Sequence, residues 1–209
     1  NSGYGIDIAS NMVPAVDTAI YSAVGTDTVS YGVARSAQDT GNLGYKLALD
    51  GGVTISGEYA RNTAAGGSDV TVGATYTGVD GLTLAVGTGN TATGGTAEVD
   101  STTYGAKYAT GGFTFGLQLT DVTTNGSTEE EDGIHYGVTY NVNDDFTVGY
   151  VRQETDFSGT SADEEHSGFQ ASYSMGSISF SGRVSKVDGM GGTASASDED
   201  KHITMSIAF

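Results

Sequence analysis

Along this chain apolar and polar residues alternate one for one. In "GFTFGLQLT", Phe113, Phe115, Leu117 and Leu119 share one side, and Thr114, Gly116, Gln118 and Thr120 share the other. In "IHYGVTYNV", Ile134, Tyr136, Val138, Tyr140 and Val142 oppose His135, Gly137, Thr139 and Asn141. A period of two predicts β-strands with two unlike faces. Four stretches repeat the pattern: "VGATYTGVDGLTLAVG", "YGAKYATGGFTFGLQL", "YGVTYNVNDDFTVGYV" and "FQASYSMGSISFSGRV". Each is a strand ending near a tyrosine, a tight turn, then a second strand. The tyrosines, Tyr76, Tyr108, Tyr140 and Tyr173, are spaced 32, 32 and 33 residues apart. Weaker copies precede them in "GYKLALDGGVTISGEYA" and "VDTAIYSAVGTDTVSYGVA". With the final strand "HITMSIAF", this reading predicts 13 strands over residues 14–209.

The connections come in two kinds. Those inside the repeats are short: "DGG", "GVDG", "TGG", "VND" and "MGS". Those between repeats are long, polar and mostly acidic, as in "DVTTNGSTEEEDG" and "RQETDFSGTSADEEHS". In an antiparallel meander, alternate connections lie at opposite ends of the sheet. One end is therefore trimmed close and the other carries large loops, the asymmetry of a transmembrane β-barrel. A soluble sandwich matches the alternation on any single strand, but has no general reason for that polarity. The predicted fold is an all-β, antiparallel transmembrane β-barrel built as a meander.

Composition sharpens this picture. The chain has 33 Gly, 12 Tyr, one Pro and neither Trp nor Cys among 209 residues, which excludes a disulfide framework and a Cys-ligated zinc site. The net charge of −18 argues against a nucleic-acid partner, because phosphate binding needs a basic footprint. No apolar run reaches the roughly 20 residues of a spanning helix, while closed barrels cross membranes with strands. Small residues dominate the polar face, as suits the inner wall of a water-filled lumen. The evenly spaced tyrosines beside the short turns suit an interfacial aromatic girdle.

Architecture, repeated hairpins and the terminal "ITMSIAF" together resemble the porins of Gram-negative outer membranes, above all the acidic-looped alphaproteobacterial type. The resemblance covers about residues 14–209. It implies a multi-pass barrel of about 16 to 18 strands in the full chain, of which this chain resembles the C-terminal two-thirds. It further implies a passive channel for small hydrophilic solutes and ions, assembled as a homotrimer among outer-membrane lipid and lipopolysaccharide. Residues 1–13 would be the tail of a loop folded into the pore, or would mark an N-terminal truncation. Ile203, Met205, Ile207 and Phe209 match the alternation that ends in Phe and resembles the signal read by the barrel-assembly machinery.

Strand parity puts Lys46, Glu58, Lys107, Gln118, Gln170 and Arg183 on the small-polar face, where they would line the pore. By the resemblance, Lys46, Lys107 and Arg183 take the basic wall of a constriction, and Asp7 or Asp17 the opposing loop side. Arg61 and Arg152 fall near the loop ends of their strands, where snorkelling to the interface is expected. Three acidic runs are expected in the long loops: Glu129, Glu130, Glu131 and Asp132; Asp163, Glu164 and Glu165; Asp198, Glu199 and Asp200. Hard cations relieve packed carboxylates, so calcium or magnesium at this rim is one reading, and a hydrated acidic surface is the other. An acidic mouth attracts cations. No cofactor is required by any motif. The histidines His135, His166 and His202 lie near the loop ends, and neither a G-x-S-x-G elbow nor H-E-x-x-H occurs, so an enzyme is not expected. The alternative class is a secreted or surface-layer β-protein with calcium-stabilised loops and an adhesive or structural role.

Overall fold

A computed structural model describes residues 4–16, 42–62, 67–94, 97–127, 130–159 and 161–208. Eleven strands follow a short 3-10 turn at Gly5–Ala9: β1 (Asn42–Leu49), β2 (Val53–Asn62), β3 (Gly67–Val79), β4 (Leu82–Gly94), β5 (Ala97–Thr110), β6 (Phe113–Thr124), β7 (Glu130–Asn141), β8 (Phe146–Phe157), β9 (Glu164–Met175), β10 (Ile178–Asp188) and β11 (Ser197–Ile207). They form one antiparallel sheet in chain order, each strand paired with the next. The sheet is not closed among the described residues. Apart from Val16, the two strands expected within residues 16–34 lie outside them.

Turn chemistry fixes the short end. Between β1 and β2, Gly51 and Gly52 sit at φ of 83° and 84°, a left-handed conformation that a side chain would strain. The hairpin then runs in register from Leu49 opposite Val53 to Asn42 opposite Ala60. Tyrosines mark the same end of the sheet. Tyr76, Tyr108, Tyr140 and Tyr173 stand opposite Val53, Leu82, Phe113 and Phe146, each the first residue of the preceding even-numbered strand. Two of the pairs bring rings together, Phe113 with Tyr140 at 4.1 Å and Phe146 with Tyr173 at 6.4 Å.

The distribution of polarity is inverted relative to a water-soluble domain. Apolar side chains crowd the outward face and stay exposed, among them Tyr45, Ile55, Val72, Phe115, Phe169 and Ile203. The opposite face buries polar ones: Ser56, Thr71, Thr103, Gln118, His135 and Gln153. A continuous apolar belt of this extent is a liability in water and the expected surface in a bilayer.

One expectation is corrected. The acidic runs do not hang in loops: Glu130, Glu131 and Asp132 belong to β7, Glu164 and Glu165 to β9, and Asp198, Glu199 and Asp200 to β11. Only Asp163 lies in a connection, and Glu129 falls outside the described residues. Neighbouring strands are already in register here, so extending the ladder pairs backbone N–H and C=O groups that a loop would leave to water. That gain outweighs the low β-propensity of carboxylates.

Candidate pore-lining site

Residues Tyr4–Val16 lie across the polar face of the sheet, from β1 to β8, and glycines mark their path. A Cβ added at Gly44 would meet the Tyr4 ring at 2.6 Å; at Gly73, the Gly5 carbonyl oxygen at 2.5 Å; at Gly87, Ile6 Cγ1 at 2.7 Å. At Gly137 it would meet Val13 at 2.8 Å, and at Gly149 Val16 at 3.1 Å. At Gly105 and Gly116 it would collide with Met12. Seven strands thus offer a notch where the segment passes. The eighth, β2, offers Ser56, whose Oγ accepts the Gly5 N–H at 2.8 Å.

Further contacts hold the segment down. Ile6, Ala9, Met12 and Val13 are buried, with Ala9 and Met12 clustered against Ala85 and Val13 against Val151. The Met12 N–H donates to Gln118 Oε1 at 3.4 Å. Lys46 Nζ sits 5.2 Å from the centre of the Tyr4 ring, a cation–π distance. Each buried aliphatic side chain is worth about 1.5–3 kcal/mol against exposure, so this is a fixed element of the wall.

Register places Lys46, Glu58, Lys107, Gln118, Gln170 and Arg183 on the segment's face of the sheet. They do not converge on one point but are spread from β1 to β10. Glu58 is buried and accepts from Asn42 Nδ2 at 2.8 Å. Gln118 is fully buried beneath the segment. Arg183 Nε pairs with Asp200 Oδ2 at 3.0 Å, on the same face of β11. Asp7 sits on the 3-10 turn and is buried there, while Asp17 lies outside the described residues. Arg61 points outward near the loop end of β2. Arg152 also points outward but, against the loop-end expectation, sits midway along β8 opposite Tyr136, where it pairs with Glu154 and Glu165.

Alternation splits every acidic run between the two faces. Glu131, Glu164, Asp198 and Asp200 share the segment's face; Glu130, Asp132, Glu165 and Glu199 point outward. Among the described residues, no three acidic or histidine side chains come together in a group able to hold a metal ion. On the outward face, Asp132 stands directly between Asp121 and Asp156 on its neighbouring strands. Ile203, Met205 and Ile207 lie on the outward face of β11, and Phe209 is outside the described residues.

Two features escape a reading of single strands. One is a buried ladder on the polar face, in which Gln118, His135, Gln153 and His166 stand in register on β6 to β9. The other is the glycine row. Its signal is in the repeat: Gly73, Gly105 and Gly137 each precede a girdle tyrosine by three positions, in "GATY", "GAKY" and "GVTY". The fourth copy reads "QASY", and β9, which carries Gln170, lies beyond the last strand the segment reaches.

A meander with an apolar outer face, a polar inner face and a chain segment seated on that inner face is the wall of an outer-membrane-type β-barrel. The chain belongs to the Gram-negative porin family, whose model matches residues 3–178. No curated protein sequence matches it. Among solved structures, the chain is similar to a porin refined at 1.8 Å resolution, with a TM-score of 0.61 and 16% identity over 78% of this chain and 60% of that one. It is also similar to OmpT, an outer membrane protein of Vibrio cholerae, with a TM-score of 0.56 and 14% identity over 78% of this chain and 61% of OmpT. The trimer form of OmpT matches with a TM-score of 0.55 and 15% identity, over 78% of this chain and 62% of that one. The chain therefore spans about 60% of the length of these proteins.

Proposed function

We propose that the protein is an outer-membrane channel for passive diffusion of small hydrophilic solutes and ions, narrowed by the Tyr4–Val16 segment. The observation that carries this reading is the segment's course along a row of glycines on the polar face of a sheet whose other face is apolar. A barrel filled by its own side chains has no use for such notches, whereas a wide barrel needs an internal element to set its narrowest section. Cation preference follows from Glu58, Asp69, Glu131, Glu164, Asp198 and Asp200 on the inner face against Lys46, Lys107 and Arg183. Self-association as a trimer belongs to the same proposal, as does divalent cation binding at the acidic rim. The chemistry is solvation and sieving, without a catalytic step.

Planar-bilayer recording of the full-length purified protein tests the reading. Discrete conductance steps, with a reversal potential displaced toward the cation equilibrium value in a salt gradient, are expected. A detergent-free soluble monomer without channel activity refutes it.

A further inference from the structure

From Gly5 to Val13 one side chain is exposed, that of Asn11. Ile8 is half-covered and the others are buried. Asn11 is also, among the described residues, the one non-glycine with a left-handed backbone, at φ 60°. The two facts have one cause. Ala9 and Met12 on either side face the wall at Gly87 and Gly105. A residue between them in ordinary conformation would add another side chain to that packed layer, and the left-handed turn swings it away instead. Asn tolerates this conformation better than other residues with a side chain. A short chain of hydrogen bonds fixes its amide: Asn11 Nδ2 donates to Ser10 Oγ at 3.1 Å, and Ser10 Oγ donates to the Asp7 carbonyl at 2.7 Å. That leaves the carbonyl oxygen Oδ1 as the end presented away from the wall, with no protein partner among the described residues.

We propose that Asn11 is the solute-contacting tip of the segment, a specificity-determining residue that offers a hydrogen-bond acceptor to hydroxyl- or ammonium-bearing solutes at the narrowest section. This rests on the channel reading above. An acceptor oxygen held by its neighbours replaces part of a passing solute's hydration without reorganising, and so favours donors over bare anions. The residue carries no net charge and a small exposed side chain, so adding a charge there or removing the side chain should be felt directly by the permeating species.

Bilayer recordings of the full-length protein and two variants test this. Asn11→Asp keeps the shape and the left-handed tolerance and adds a charge. It should favour cations and disfavour anions about two- to threefold each, raising the cation-to-anion permeability ratio about sevenfold at low salt, from a unit charge about 7 Å from an ion in water. Asn11→Gly keeps the backbone and removes the side chain. It should raise conductance, leave ion selectivity as it was, and reduce the preference for polyols over anions of equal size in liposome swelling. Wild-type channels with both variants unchanged in selectivity and conductance overturn the role of Asn11 and leave the channel intact. Absence of wild-type channels overturns the channel reading, and this proposal with it.

Discussion

Replacing Gly87 by valine probes the seat of the segment. The new Cβ would lie 2.7 Å from Ile6 Cγ1, 3.1 Å from Ile6 Cα and 3.3 Å from Ala9 Cβ, whereas ordinary contact begins near 3.4 Å. Ile6 must therefore retreat by about 0.7 Å for the Cβ alone, and further for the two methyl groups. Overpacking of this kind costs about 1–3 kcal/mol, comparable with the roughly 1.5–3 kcal/mol that burial of Ile6 contributes. The strand itself gains, because valine suits a sheet better than glycine. Wall and segment should respond in opposite directions: thermal stability of the folded barrel holds or rises while the segment lifts. Because the segment lies flat on the inner wall, lifting it at Ile6 while Met12 and Val13 stay seated moves it into the lumen, so single-channel conductance should fall and open-channel noise should rise. Gly182→Val is the control, since a Cβ there meets nothing closer than 3.7 Å and faces outward. If Gly87→Val conducts like the parent while remaining folded, the glycine row does not position a constriction.

Two further predictions follow from the faces of the sheet. Leu117→Arg puts a charge midway along β6 on the outward face, between Ala106 and Tyr136; denaturant refolding into vesicles should show a loss of about 2–4 kcal/mol. A variant as stable as the parent would place that face in water. Asp132→Asn relieves repulsion from Asp121 and Asp156 and should raise stability by up to about 1 kcal/mol at low ionic strength, less at high salt. If calcium bridges these carboxylates, saturating calcium cancels the advantage of the Asn variant; a variant less stable in every condition contradicts the repulsion itself.

Much of the architecture was legible in the sequence, because alternation and even spacing survive in each hairpin on its own. Phe113, Phe115, Leu117 and Leu119 announce an apolar face without reference to any neighbour. The acidic ends read as loops for a physical reason: "EEED" carries charge on both faces, so it lacks the two-sided contrast that marks a strand, yet register with β6 and β8 extends the ladder through it. The glycine row was harder still. Its members sit on seven different strands, and only pairings such as Gly73 with Gly87 and Gly116 with Gly137 bring them into line. The small polar face, which suits a lumen, is in part the seat of a segment. Asn11 had no signal at all, since nothing local distinguishes it from any other polar residue.

The glycine row also ties the girth of the wall to the length of the segment. Crossing from β1 to β8 covers seven strand spacings of about 4.8 Å, roughly 34 Å of arc. Thirteen residues, five of them in a 3-10 turn, reach about the same distance. Wall and segment are cut to one measure. Each additional hairpin would add about 10 Å of circumference and call for about three more residues of crossing chain. A barrel of this kind cannot be widened by duplicating hairpins alone, because its bore and its internal strap must lengthen together.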